Sequence, residues 1–170
     1  MIYFLSDCDL TLLSSDSVIN NWNRAVKIGD TVYHLGDFTQ LNFEFASCVI
    51  QKLNGEIHFL PGSNDYWMRG ISKKLIYKVL SKTGQQCFFE PEIISIHTGY
   101  KNKLNVPIVL SHYPMTLWQG SYSGSLHAFG HCRGNLTLRT PRSIDVSYNI
   151  FNKPININSI ISWFKERQEV

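Results

Sequence analysis

Carboxylates, an amide, imidazoles and a guanidinium recur in this chain at one kind of place, where a short apolar run gives way to polar residues. Asp7 and Asp9 follow the run from Met1 to Ser6, Asp37 follows Thr31 to Leu35, and Ser63, Asn64 and Asp65 follow Glu56 to Leu60. His112 closes the run from Val106, and His131 and Arg133 follow the run from Ser125. Carboxylate oxygens and imidazole nitrogens suit Zn, Mn or Fe, and no paired-thiolate spacing points to a structural zinc. If the runs are strands, five strand ends converge on one edge, and a catalytic metal site is the economical reading.

The elements that must position these residues follow from periodicity. Met1 to Ser6 reads as a buried strand ending in a loop. Asp16 and Ser17 are placed to cap a helix whose apolar positions Val18, Ile19, Trp22, Ala25 and Val26 recur at helical spacing before Gly29. Thr31 to Leu35 is the next strand, and Phe43, Ala46, Val49, Ile50 and Leu53 outline a second amphipathic helix closed by Asn54-Gly55. Glu56 to Leu60 is a third strand, and a helix is expected from Ile71 to Leu80. In the second half, the segments Gln86 to Tyr100, Val106 to His112, Ser125 to His131 and Ser143 to Tyr148 read as strands, before a last helix from Asn158 to Arg167. Strand, polar loop and helix in alternation describe an α/β sheet.

Composition bounds the answer. The 170 residues are 44% hydrophobic and 17% charged, enough to bury one core in a single domain spanning residues 1–170. The net charge of +3 comes from scattered residues with no polybasic block, which argues against nucleic acid as a partner. The apolar runs are strand-length, so no membrane span is expected, and the Ile2 to Leu5 run has no basic region before it and no cleavage site after it, so a cytoplasmic address is expected. Cys8, Cys48, Cys87 and Cys132 lack regular spacing and read as reduced thiols.

The polar run ends also carry a resemblance, to the calcineurin-like metallophosphoesterases of the small bacterial and phage type. That family has, in chain order, D-x-H, G-D, G-N-H-D or G-N-H-E, a lone His, and G-H-x-H. The corresponding segments here are Asp7-Cys8-Asp9, Gly36-Asp37, Gly62-Ser63-Asn64-Asp65, Ser111-His112 and Gly130-His131-Cys132-Arg133, and the order covers nearly the whole chain. The flanking phrases Asp30 to Asp37 and Leu110 to Pro114 are similar too. The resemblance implies a four-layer αββα sandwich, two mixed β-sheets flanked by helices. It also implies two metals about 3.5–4 Å apart whose bridging hydroxide attacks phosphorus in line.

The departures from the pattern reshape what it implies. One metal of the pair would be held by Asp7, position 9, the bridging Asp37 and position 133, but the family's two histidines are Asp9 and Arg133 here. Asp9 retains ligand oxygens. Arg133 is permanently protonated and has no lone pair to give, so it is expected to pair with Asp7 and Asp9 and replace that metal's charge. The other metal would be held by Asp37, the family's asparagine, His112 and His131. Without a gap, the reading favoured because Asp65 then keeps its place, Ser63 takes the asparagine position and Asn64 that of the catalytic histidine; a one-residue slip returns Asn64 to the metal. The candidate metal ligands are therefore Asp7, Asp9, Asp37, Ser63, Asn64, His112 and His131, and the candidate catalytic residues are Asn64, Asp65 and Arg133.

Two functions fit this pattern. One is a metal-dependent phosphoesterase acting on a small or nucleotide-like phosphomonoester or phosphodiester, with one divalent ion (Mn, Fe, Ni or Zn) or an altered pair. The other is a catalytically dead relative that binds a phosphate-bearing ligand or a protein partner, with no metal required. Outside the motif, His34, His58 and His97 read as structural, and His127 as either packing or support for the site. Cys8 and Cys132 read as buried thiols or soft ligands, and Tyr66, Trp67 and Trp118 as packing or a surface for stacking a base. The loop from Met115 to Gly124 is expected to set substrate choice.

Overall fold

The computed structural model describes residues 1–71, 76, 78–79, 81–97, 107–136 and 140–166. Its strands, in chain order, are β1 (Ile2–Leu5), β2 (Thr31–Leu35), β3 (Glu56–Leu60), β4 (Cys87–Phe89), β5 (Ile93–His97), β6 (Pro107–Ser111), β7 (Leu126–Phe129), β8 (Ser143–Asp145) and β9 (Ile155–Asn156). Its helices are α1 (Ser15–Ala25), α2 (Phe43–Ile50), α3 (Tyr148–Phe151) and α4 (Ile157–Glu166). The strands make two mixed sheets, ordered β4-β3-β2-β1-β9 and β5-β6-β7-β8. In the first, β1 to β4 run parallel and β9 is antiparallel to β1; in the second, β6 to β8 run parallel and β5 is antiparallel to β6.

Alternation along the strands builds two apolar layers. On one face of the first sheet Leu5, Val32, Ile57 and Phe59 pack against Val18 and Trp22 of α1 and Ala46, Val49 and Ile50 of α2. On its other face Phe4, Leu35 and Leu60 meet Ile108, Leu110, Leu126, Ala128 and Ile144 of the second sheet, with Ile160, Ile161 and Phe164 of α4 in the same cluster. The sheets are stitched beside the site, where Ser6 donates its N–H to Val146 and accepts from the Tyr148 N–H. Because β1, β2 and β3 are parallel, the loops after all three leave the same edge.

Several expectations change. The Gln86 to Tyr100 segment is two strands in different sheets. They part at Glu90-Pro91, where proline has no N–H for a ladder. Of that segment, residues 98–100 lie outside the described residues, as does most of the helix expected from Ile71 to Leu80. α1 starts at Ser15, one residue ahead of the expected caps, after Thr11 and Ser14 exchange hydrogen bonds between side chain and backbone N–H. The strand expected to reach Tyr148 stops at Asp145, and a short helix follows. Among the described residues, the 113–124 loop packs on the outer face of the second sheet. Trp118 lies 5.1 Å from the His127 ring, and the Met115 N–H donates to His127 Nε2 at 3.2 Å.

Candidate metal centre

The loops leaving the strand ends hold an unusual backbone. Asp7, Asp9, Asp37, His131 and Arg133 have φ of 53°, 42°, 56°, 67° and 52°, and Asn152 is the only other described non-glycine residue with positive φ. Left-handed backbone at aspartate, histidine and arginine costs on the order of 1–3 kcal/mol per residue, and it clusters where function requires a geometry. Two glycines permit the close approach. A Cβ on Gly62 would fall on the Asp37 nitrogen and carboxylate, and one on Gly130 would fall on the Ser6 hydroxyl.

Asp65 explains how the Asp37 loop stays in place. Its buried carboxylate accepts five N–H groups, from the backbone of Asp37, Phe38, Thr39 and Gly62 and from Trp67 Nε1. Burial raises its pKa, and the hydrogen bonds from Trp67, Gly62, Phe38 and Asp37 offset only part of that rise. With both oxygens accepting N–H groups, Asp65 holds the loop that carries Asp37.

Asp37, His112 and His131 present ligand atoms within 4.8 Å of one another. His112 Nδ1 lies 2.8 Å from the Leu35 carbonyl, which can only accept, so Nδ1 carries the hydrogen and Nε2 keeps its lone pair. That Nε2 is buried without a hydrogen-bond partner and lies 3.6 Å from Asp37 Oδ1. An imidazole fixed by a carbonyl on one nitrogen, with an orphaned lone pair beside a carboxylate on the other, is the arrangement a metal-ligating histidine adopts. The residues fit a divalent cation. The structure brings both Ser63 and Asn64 to Asp37. The Ser63 hydroxyl donates to Oδ2 at 3.1 Å, the Asn64 N–H to Oδ1 at 2.8 Å and the Asn64 side-chain amide to Oδ2 at 2.9 Å.

Arg133 lies among the other carboxylates, as its charge requires. Its Nη2 is 2.6 Å from Asp9 Oδ2 and 3.8 Å from Asp37 Oδ2, and its Nε is 3.4 Å from Asp7 Oδ1. Desolvation raises the Asp9 pKa, Arg133 opposes that rise, and Asp37 and Asp7 add to it. Asp9 Oδ1 is buried with no hydrogen-bond partner. Asp7 is fixed from behind: its Oδ2 accepts the His131 N–H at 2.8 Å and the Ser147 hydroxyl at 3.0 Å. The Ser147 oxygen is also 2.5 Å from Asp145 Oδ1, and Asp145 Oδ2 accepts the Gly134 N–H, which ties down the turn after Arg133. Sequence reasoning missed Asp145 and Ser147, which sit in an ordinary strand-to-turn pattern that carries no signal of a site.

The remaining candidates separate cleanly. Cys8 points into the core, its Sγ 3.3 Å from His34 Nε2, and desolvation holds its thiol well above the usual range, so it is a packed thiol and not a soft ligand. Burial pushes His34 down to about 3. His127 donates from Nδ1 to the Val109 carbonyl and accepts the Met115 N–H at Nε2, so it anchors the 113–124 loop, with burial pushing it down to about 4. His58 bridges Glu56 and Glu90. Trp67 is buried core and Trp118 lines the outer face of the second sheet, whereas the Tyr66 ring is covered by the Arg69 guanidinium at 4.4 Å.

No family model matches the chain. It is 26% identical to an uncharacterized protein, MJ1445 of Methanocaldococcus jannaschii, over 163 residues, which are 91% of this chain and 77% of that protein. In fold it is similar to the crystal structure of AQ665 from Aquifex aeolicus, a protein of unknown function. The TM-score is 0.63 at 18% identity, covering 95% of this chain and 98% of the other. No helix among the described residues is long and apolar enough to cross a membrane.

Proposed function

We propose that this protein is a metal-dependent phosphoesterase of the calcineurin-like type, built around one divalent cation on Asp37, His112 and His131, with Arg133 replacing a second. The observation that carries this reading is the His112 imidazole: its tautomer is set by Leu35, and its free lone pair is buried beside Asp37. The two mixed sheets and the order of the strand-end motifs support that family's sandwich. A bound cation would supply Lewis-acid polarisation of a phosphoryl oxygen and a more acidic water. Arg133 supplies fixed positive charge with N–H groups in a planar fork suited to phosphate oxygens. Ser63, Asn64 and Asp65 hold the Asp37 carboxylate and its loop in place.

Three carboxylates, Asp7, Asp9 and Asp37, face a single guanidinium. Such a site carries less positive charge than one with two divalent cations, so it favours a singly charged phosphodiester over a doubly charged monoester. The test is hydrolysis of bis(p-nitrophenyl) phosphate and p-nitrophenyl phosphate with Mn, Fe, Ni or Zn. The diester is expected to turn over faster, and His112→Ala to lose more than about a hundredfold. A second reading, phosphate-ester binding without turnover, is favoured by Asn64, which donates to Asp37 where the family places an acid and cannot protonate a leaving group. Hydrolysis of neither ester with any of the four metals, together with retained phosphate binding, would select that second reading.

A further inference from the structure

Next to the metal cluster, and unused by the account above, lies a cavity of about 330 Å³. It runs from Ser63 and His112 outward past Arg69, Glu92, Ile93, Tyr113 and Met115. Its size is at the small end of the about 300–1,000 Å³ typical of sites for a single small molecule. Its lining includes Ser63, which donates to Asp37, and His112, a candidate ligand, so the cavity borders the metal cluster on that side.

We infer that this cavity is the subsite for the nucleoside part of a nucleotide-like phosphate ester whose phosphorus sits at the Asp37, His112 and His131 cluster. The inference rests on the phosphoesterase reading and narrows its substrate class. Three features carry it. Tyr113 is 52% exposed although its ring centroid lies 4.8 Å from that of His112 and 4.7 Å from that of His131, so an open aromatic face stands where the cluster meets the cavity. Ile93, 55% exposed, and Met115 add apolar wall, and a thioether beside an aromatic ring is adaptable to planar ligands. Arg69 and Glu92 bring one charge of each sign, so the cavity as a whole suits a neutral polar group with donors and acceptors and not a second phosphate. A base and its sugar meet all three requirements, since every nucleobase has a face to stack and an edge to hydrogen-bond.

The larger groove of about 640 Å³ on the outer face of the second sheet meets this cavity at Ile93 and Met115 and runs on past Leu117, Trp118 and Tyr122, so Tyr122, which lines the groove and not the cavity, supplies the control. AMP, inorganic phosphate and adenosine are titrated into the Mn-loaded protein by calorimetry, and adenosine also into the metal-free protein. AMP is expected to bind at least about tenfold more tightly than either inorganic phosphate or adenosine. Tyr113→Ala and, independently, Ile93→Asp are expected to weaken AMP and adenosine about tenfold while leaving phosphate affinity and bound Mn unchanged. Tyr122→Ala is expected to change nothing. AMP binding no tighter than phosphate, or both variants leaving AMP affinity within twofold, overturns the subsite while the phosphoesterase reading stands. Loss of Mn and phosphate binding in the unaltered protein, with adenosine still bound and released by Tyr113→Ala, overturns the phosphoesterase reading and leaves the cavity a nucleoside site.

Discussion

If Arg133 replaces a cation, its charge and Asp9 must be energetically coupled, and a double-mutant cycle measures that coupling. The perturbations are Arg133→Gln, Asp9→Asn and both together. Asparagine tolerates the left-handed backbone at position 9, and glutamine at position 133 keeps much of the arginine stem, so the cycle reads charge more than strain. The geometry sets the magnitude. The pair is short, 2.6 Å, but the Arg133 side chain is 41% exposed and that of Asp9 29%. Removing one partner of a fully buried pair costs about 3–5 kcal/mol and an exposed pair contributes about 0–1 kcal/mol. Arg133 lies between these limits, so Arg133→Gln is expected to destabilise the fold by about 1–3 kcal/mol, with a coupling to Asp9 near 1 kcal/mol. Removing the guanidinium also leaves Asp9 beside Asp7 and Asp37 with only like charges, so Asp9→Asn in the Arg133→Gln background should recover part of the loss. Urea denaturation of the four proteins at pH 7 and low ionic strength gives the cycle. Additivity within about 0.3 kcal/mol would refute the argument that Arg133 stands in for a cation.

Other consequences can be measured on the same protein. Asp65→Asn replaces one oxygen that accepts loop N–H groups with an amide that cannot accept, leaving buried donors unpaired, and should cost about 2–4 kcal/mol in urea denaturation; a loss under about 0.5 kcal/mol would mean that the five bonds do not hold the loop. His127 is neutral when folded, at about 4 against an ordinary 6.5, so its contribution to stability is complete above about pH 6.5 and is lost as pH falls from there toward 4. Over that range His127→Gln should flatten the dependence of unfolding free energy on pH by up to about 1.4 kcal/mol per pH unit, and an unchanged slope would contradict a buried neutral imidazole.

Much of this architecture was legible because the first half repeats one unit. Met1 to Ser6, Thr31 to Leu35 and Glu56 to Leu60 each end in glycine or polar residues, and the helical spacing of Val18, Ile19 and Trp22 leaves little choice of element. What escaped was short or set by tertiary contacts. β9 has two residues and α3 four, too few for any period to show. Pro91 marks where one apolar stretch changes sheets, a break that composition alone does not place. At the site, the approach of Arg133 to Asp7 and Asp9 followed from residue chemistry, since a guanidinium beside carboxylates has few alternatives. The division of labour within Ser63-Asn64-Asp65 did not follow, because it depends on which N–H groups the turn aims at each carboxylate. The left-handed backbone of five site residues leaves no mark on residue types that are also common in turns.

The most direct test of the central claim is metal content per chain by mass spectrometry. The protein is purified without a metal-affinity step, incubated with Mn, Fe, Ni or Zn, and desalted. One ion per chain is expected, lost in His112→Ala and in His131→Ala, with Arg133→His gaining a second. Retention of no metal by the unaltered protein, or retention that survives both histidine substitutions, would contradict a centre built on Asp37, His112 and His131.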